Sequence, residues 1–194
     1  ANSNSIANSN SIANSNSIIN SIKISDVIHV FTDGSSINNG SRTKKHYGGI
    51  GIYIENTNEQ LSETLKGKIT NNIAELKACI RAINHIKSKT VYNNKKIRLY
   101  SDSEYVINSI TKWALNWQKN NWKKYDKRKK QKVDIKNKDL IIELYGLYKM
   151  FNIEFSHVKA HKLQPNNNET SKEYKLWNGN KIADKLAVNA SLKK

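Results

Sequence analysis

The order in which strand-like and helix-like segments follow one another constrains this fold more than any other feature of the sequence. Apolar runs predict strands at 27–33, 47–56 and 60–70, before any helix begins. Residues 71–88 then change to a helical period, because apolar side chains recur every three or four positions. A flexible, partly basic loop at 34–46 joins the first two strands, and we expect the sheet to be antiparallel at its start.

The second half of the chain alternates helices with strands. We expect a strand at 95–102, a helix at 103–110, a helix at 138–150, a strand at 153–160 and a last helix at about 179–192. Helices between strands imply crossover connections, which join parallel strands. The sequence therefore predicts an α/β fold built on a five-stranded mixed sheet flanked by helices.

The N-terminal region is a low-complexity tract rich in Asn and Ser. The hexapeptide ANSNSI occurs three times within residues 1–18, and no charged residue precedes Lys23. So few apolar side chains cannot offset the entropy lost on ordering the chain. We expect residues 1–25 to form a disordered tail and residues 26–194 to form one folded domain.

The charge of the chain is strongly positive. Lys and Arg number 33 against 16 Asp and Glu, a net charge of +17, and such an excess is typical of proteins that bind nucleic acid. The lone Cys79 cannot form an internal disulfide, and no apolar run reaches the length of a membrane span. We expect a monomeric intracellular protein of a reducing compartment, cytoplasm or nucleus, with no secretion signal and no membrane partner.

Four acidic residues lie where the predicted elements could bring carboxylates together. Asp33 and Asp102 each close an apolar strand, and ligands of open α/β sheets bind at the carboxyl ends of strands. Glu75 and Asp184 border the apolar faces of predicted helices, where a carboxylate is costly without a compensating partner. Each alone could be an ordinary capping, turn or helix-surface acid. If the four converge, their repulsion requires a hard cation such as Mg²⁺ or Mn²⁺.

Five motifs resemble those of the type 1 ribonuclease H family and follow in the same order. They are FTDGS (31–35), TNNIAELKACIRAI (70–83), YSDSEYVINSITKW (100–113), HVKAH (157–161) and GNKIADKLA (179–187). The resemblance extends over residues 26–192. It implies an RNase H-like fold with a basic protrusion, and hydrolysis of the RNA strand of an RNA–DNA hybrid to leave 3′-hydroxyl and 5′-phosphate ends.

The same resemblance implies the roles of individual residues. Asp33, Glu75, Asp102 and Asp184 would bind two Mg²⁺ ions, with Mn²⁺ as an alternative. His161 matches the family histidine on a flexible loop that moves protons or assists product release, although an ordinary loop histidine would look the same. Because 22 residues separate His161 from Asp184, more than in many family members, the resting position of His161 stays open.

A basic and aromatic segment spans residues 112–138. It holds eleven basic and two acidic residues, a net charge of +9, and resembles the family's protrusion along the DNA strand. Its tryptophans could equally pack this segment onto the core. Asn71 and Asn72 could also cap the helix that follows them. The expected nucleic-acid contacts are Asn39, Asn71, Asn72, Trp113, Trp117, Lys119, Lys123, Lys124 and Asn180.

Two other functions remain open at this level. A DNA-directed nuclease of the same superfamily, such as a junction resolvase, would share the fold and the acids. A hybrid-binding module without catalysis would share the basic segment, but the presence of all four acids argues against it. The choice of substrate distinguishes the first alternative, and Mg²⁺-dependent cleavage distinguishes the second.

Overall fold

The computed structural model describes residues 25–37, 47–160, 163–165 and 169–193. Apart from Ser25, the expected disordered tail lies outside the described residues. Asn39 and His161, two of the expected site residues, also lie outside them.

Five strands form the central sheet. The antiparallel strands β1 (Val27–Ile37), β2 (Tyr47–Ile54) and β3 (Glu59–Leu65) come first, and β4 (Lys96–Ser101) pairs in parallel with β1. The last strand, β7 (Ile153–His157), pairs in parallel with β4. The spatial order is therefore β3-β2-β1-β4-β7, which confirms the expected five-stranded mixed sheet.

The helices provide the connections between strands and cover the sheet. They are α1 (Asn71–Lys87), α2 (Glu104–Asn108), α3 (Ala114–Lys119), α4 (Lys138–Met150) and α5 (Lys172–Leu192). Ser103 caps α2, because its Oγ accepts a hydrogen bond from the amide of Val106. In the described part of the chain, none of the helices combines the length and apolar character that a membrane crossing requires.

Alternation along β1 divides the core between the two faces of the sheet. Val30 is buried with Leu76 of α1 on one face, whereas Phe31 packs with Tyr100 and Ala183 on the other. The Phe31 and Tyr100 rings are stacked with their centroids 4.6 Å apart. Consequently α1 and α5 lie on opposite faces of the sheet.

Small residues let α5 lie close against β2. A side chain at Gly51 would overlap the carbonyl oxygen of Ala183 and the amide of Ala187. We expect Gly51→Ala to lower the free energy of unfolding by about 1–3 kcal/mol, the usual cost of overpacking. Urea denaturation measures the effect. Gly146→Ala is the control, since a Cβ there meets nothing within 4 Å and should stabilise α4 by about 0.5–1 kcal/mol.

Two helix N-termini differ from the sequence prediction, α5 in its position and α1 only in its capping residue. Helix α5 begins at Lys172 instead of about 179, because Ser171 caps it with its Oγ 3.1 Å from the amide of Tyr174. Its first two turns are mostly polar and show no apolar period. Helix α1 is capped by Thr70, whose extended backbone and Oγ1 suit the cap, so the prediction that Asn71 and Asn72 cap it was wrong.

The basic segment contains a hairpin that the sequence pattern did not predict. A π-helical turn, Ser109–Trp113, joins α2 to α3. Strands β5 (Lys123–Asp126) and β6 (Gln131–Asp134) then pair in antiparallel fashion. Asp126 Oδ1 accepts hydrogen bonds from the amides of Arg128 and Lys129 and so closes a turn that holds no glycine. Both strands are exposed at nearly every position, so no two-residue apolar period marks them in the sequence.

Candidate active site

Strand register places Asp33 and Asp102 side by side. The last parallel pair of β1 and β4 is Phe31 with Tyr100, and each aspartate lies two residues beyond it. Asp102 directly follows β4, as predicted. Asp33 does not end β1, which continues to Ile37 through its pairing with β2. The two acids nevertheless meet at the carboxyl edge of the parallel part of the sheet, where ligands of such sheets bind.

Helix α1 brings Glu75 to the same edge. Gly34 makes this possible, because any Cβ there would overlap the backbone nitrogen of Glu75. The side chain of Asn71 accepts a hydrogen bond from Ser36 Oγ, which further fastens the first turn of α1 to β1. The close contact of a glycine with a helix backbone therefore positions the third carboxylate.

The three carboxylates form a compact cluster. One oxygen each of Asp33, Glu75 and Asp102 lie within 4.8 Å of one another. Asp33 is 7% exposed and Glu75 is 8% exposed, whereas Asp102 is half-buried. Three carboxylates this close, two of them shielded from water, cannot all be ionised without a compensating cation.

The protonation of the cluster reflects this repulsion. Burial, together with the charges of Asp102 and Asp184, raises the pKa of Asp33 to about 6. Burial, together with the charges of Asp33 and Asp102, raises the pKa of Glu75 to about 10. The metal-free protein therefore keeps a proton on Glu75 at neutral pH, where it can be shared with Asp33 through their hydrogen bond.

The donor set of the cluster fits a hard divalent cation. Among the described residues, Glu75 Oε2 is buried without a hydrogen-bond partner. A carboxylate oxygen without a partner, beside two further carboxylates, offers only hard oxygen ligands. Such a set of ligands suits Mg²⁺ or Mn²⁺ better than softer metals. A cation there would replace the proton of Glu75 and would offset the burial and carboxylate repulsion that raise its pKa.

Asp184 lies outside the compact cluster and lines a pocket together with Asp102. It is half-buried on α5, and its charge is the second carboxylate charge that raises the pKa of Asp33. The pocket has a volume of about 410 Å³ and is open to solvent. Its lining includes Asp102, Lys159, Trp177, Asn180, Lys181 and Asp184. Three of the four expected acids therefore lie close together, and the fourth lies on α5 at the neighbouring pocket.

The remaining expected contact residues vary in exposure. Asn71 and Asn72 are exposed in the first turn of α1. Trp113 is exposed, whereas Trp117 is half-buried against the main core. The centroids of the Trp113 and Trp117 rings lie 5.5 Å apart. Packing against the core thus accounts for Trp117, whereas Trp113 contacts the Trp117 ring and remains 40% exposed. Lys119, Lys123 and Lys124 are all exposed.

Asn180 is buried one turn before Asp184, and its Oδ1 has no hydrogen-bond partner among the described residues. Three other residues of this pocket, Lys159, Trp177 and Lys181, were not predicted as site residues. The sequence signal for them was their position: Lys159 lies within the HVKAH motif at 157–161, Lys181 lies within the GNKIADKLA motif at 179–187, and Trp177 lies just before the latter.

Comparison with known proteins gives a consistent result. The RNase H family model matches residues 25–192. The chain is 40% identical over 137 residues to ribonuclease HI of Haemophilus influenzae, which covers 69% of this chain and 78% of the relative. It is 38% identical over 145 residues to a ribonuclease H of Clostridium botulinum, which covers 74% of this chain and 89% of the relative.

Solved structures show the same fold. The solution structure of the PFV RNase H domain is 27% identical, with a TM-score of 0.61, and the match covers 84% of this chain and 93% of that one. LC9-RNase H1, a type 1 RNase H, is 22% identical, with a TM-score of 0.63 and coverage of 85% and 72%. A foamy viral protease-reverse transcriptase, solved in complex with an RNA/DNA hybrid, is 24% identical, with a TM-score of 0.63 and coverage of 86% and 20%.

Proposed function

This chain belongs to the RNase H family and is a ribonuclease H, and on that premise we propose that its substrate is an RNA–DNA hybrid. It hydrolyses the RNA strand and leaves 3′-hydroxyl and 5′-phosphate ends. It uses two Mg²⁺ ions, for which Mn²⁺ can substitute. The observation that carries this proposal is the cluster of Asp33, Glu75 and Asp102 within a chain of net charge +17.

The acids hold the metal ions in this proposal. Asp33, Glu75 and Asp102 supply oxygens to one shared site, and Asp184, with Asp102, faces the pocket beside it. When bound, two Mg²⁺ ions activate a water molecule and stabilise the leaving oxygen of a phosphodiester. Burial of Asp33 and Glu75 keeps competing water away from the ligand oxygens. His161 is the proposed residue for moving a proton or assisting product release.

Recognition of the hybrid is proposed to divide between the two strands. Exposed Asn71 and Asn72, with Asn39, contact the minor groove, where 2′-hydroxyl groups distinguish RNA from DNA. Trp113, Trp117, Lys119 and the lysines of β5 contact the DNA backbone. Phosphate contacts of this kind give affinity without sequence preference.

A substrate comparison tests the proposal. Labelled RNA–DNA hybrid, all-DNA duplex, four-way DNA junction and all-RNA duplex are each incubated with the protein while Mg²⁺ is titrated. We expect Mg²⁺-dependent cleavage of the hybrid alone, with new RNA ends that carry a 5′-phosphate. Preferred cleavage of the duplex or junction would instead indicate a DNA-directed nuclease. Hybrid binding without cleavage at any Mg²⁺ concentration would indicate a binding module.

The salt dependence of binding tests the basic protrusion. We expect Lys123→Gln with Lys124→Gln to weaken hybrid binding and to lower the slope of log K against log salt by about 2, roughly one unit for each lost phosphate contact. Fluorescence anisotropy in EDTA measures the slope. The matched control is Lys87→Gln with Lys149→Gln, an equal charge change at helix ends opposite the acids, which should leave the slope unchanged. Equal slopes for both double variants would contradict a role of the protrusion.

A further inference from the structure

The pocket beside the acid cluster is lined by side chains of opposite charge. Asp102 and Asp184 line it together with Lys159, Lys181 and Trp177. None of the eight ion pairs found among the described residues includes Lys159 or Lys181. Both ammonium groups therefore lack a carboxylate partner among the described residues. They suit an anion that lies between them, beside the acids that would hold cations.

Trp177 holds one of these cations in place. Lys181 Nζ lies 4.5 Å from the centroid of the Trp177 ring, within the range of a cation–π contact. The Trp177 ring in turn packs against Tyr174, with centroids 5.5 Å apart. These aromatic residues belong to the first turns of α5, the part of the helix that the sequence pattern did not predict. The additional turns of α5 therefore supply the Trp177 ring, which holds Lys181 at the pocket.

A buried acceptor in the same pocket provides an independent observation. Asn180 is 7% exposed and lines the pocket, and its Oδ1 has no partner among the described residues. A buried carbonyl oxygen without a donor is unfavourable until a ligand or water supplies one. The hydroxyl group of a ribose is such a donor. Two cations for a phosphate and one acceptor for a hydroxyl group match a ribonucleotide.

We propose that this pocket binds the ribonucleotide next to the cleaved phosphodiester bond, with its phosphate between Lys159 and Lys181 and its 2′-hydroxyl donating to Asn180 Oδ1. The inference rests on the proposed function, because the strand that passes the acids is taken to be RNA. Asp102 and Asp184 line the same pocket, so the strand cut at the acids must continue through it. Trp177 is a positioning residue that acts through Lys181.

A double-mutant cycle between protein and substrate tests the phosphate contact. The substrate is a hybrid whose cut strand carries a short ribonucleotide tract within DNA, so that the protein binds in one register. Single methylphosphonates neutralise the phosphates flanking the cleaved bond one at a time. At one position we expect this change to weaken wild-type binding by about three- to tenfold in EDTA, and Lys181→Met to abolish that effect. If the affinity losses caused by the methylphosphonate and by Lys181→Met simply multiply at every phosphate position, the inference is overturned.

Three further arms sharpen the result. Lys185→Met, an equal charge change one turn along α5 and outside the pocket, should leave the methylphosphonate effect intact. Trp177→Leu should reproduce the loss of coupling, whereas Trp177→Phe should retain it, since a phenyl ring still supports the cation. A single 2′-deoxy nucleotide at the coupled position should weaken wild-type binding, and equal binding would overturn the sugar contact.

The outcome separates this inference from the proposed function. The cycle is measured as binding without metal, so it gives an answer even for a protein that does not cut. A wild-type protein that fails to cleave the hybrid in Mg²⁺ contradicts the proposed function. One that cleaves the hybrid but shows no coupling at Lys181 contradicts only the pocket.

Discussion

Asp102→Asn should reduce Mg²⁺-dependent cleavage of an RNA–DNA hybrid by at least about a thousandfold, while binding of the hybrid stays measurable. The carboxylate lies within 4.8 Å of those of Asp33 and Glu75, and it also lines the pocket that Asp184 faces. A neutral amide at this position removes a negative charge that the acid cluster and the neighbouring pocket share. The loss of several kcal/mol of metal-dependent stabilisation corresponds to this factor, since each 1.4 kcal/mol is about tenfold.

Single-turnover cleavage and anisotropy binding measure the two quantities separately. Asp139→Asn is the matched control, because Asp139 is an exposed acid in the first turn of α4, outside the acid cluster. It should cleave at the wild-type rate. Near-normal cleavage by Asp102→Asn would refute the assignment of the site. Loss of both cleavage and binding would show that Asp102 acts through the fold.

Glu75→Gln should abolish cleavage and, at the same time, stabilise the metal-free protein. Gln has the shape of Glu, and its amide can donate to the Asp33 carboxylate without carrying a charge of its own. The wild-type side chain must keep a proton that it would lose in the unfolded chain at neutral pH. We expect the free energy of unfolding in EDTA to rise by about 1–3 kcal/mol at pH 7, since each unit of pKa shift corresponds to about 1.4 kcal/mol.

The sign of the pH dependence follows from the raised pKa of Glu75, which changes from 4.5 to about 10 in the fold. The folded metal-free protein binds a proton that the unfolded chain releases above pH 4.5. Its contribution to stability is therefore complete below that pH and is lost progressively as the pH rises towards 10. The advantage of Glu75→Gln should accordingly be small at pH 5 and larger at pH 8.

Urea denaturation at both pH values, with EDTA or with Mg²⁺, tests this prediction. Mg²⁺ should raise the stability of the wild-type protein by mass action and should have much less effect on the variant. Glu143→Gln, an exposed glutamate on α4, is the control and should show neither change. A variant no more stable than wild type at pH 8 would contradict the raised pKa of Glu75.

Most of the regular structure was predictable because its signals are local. The helix at 138–150 was predicted with the bounds that α4 has, and the five-stranded mixed sheet with an antiparallel start was confirmed. These elements bury one face or both faces, so an apolar period marks them. Glu75 was also recognisable, since a carboxylate in line with Cys79 and Ala82 needs compensation in a core.

The missed elements are those that polar contacts hold together. The first turns of α5 depend on the cap by Ser171 and on the ring contact of Tyr174 with Trp177. The β5–β6 hairpin depends on a turn closed by Asp126 in a run of lysines. In each case the stabilising groups are polar or aromatic side chains, whose meeting depends on the folded backbone and leaves no period in the sequence.

Residue types and periods alone specified an α/β sheet, a basic segment and four acids suited to hard cations. The tertiary structure decided their arrangement. Strand register places Asp33 beside Asp102, and the missing side chain of Gly34 lets the backbone of Glu75 come close. Helix α5 places Asp184 and Lys181 at the neighbouring pocket. Carboxylates remote in sequence acquire shared protons and raised pKa values only when packing removes water and brings their charges together, and no local pattern encodes that proximity.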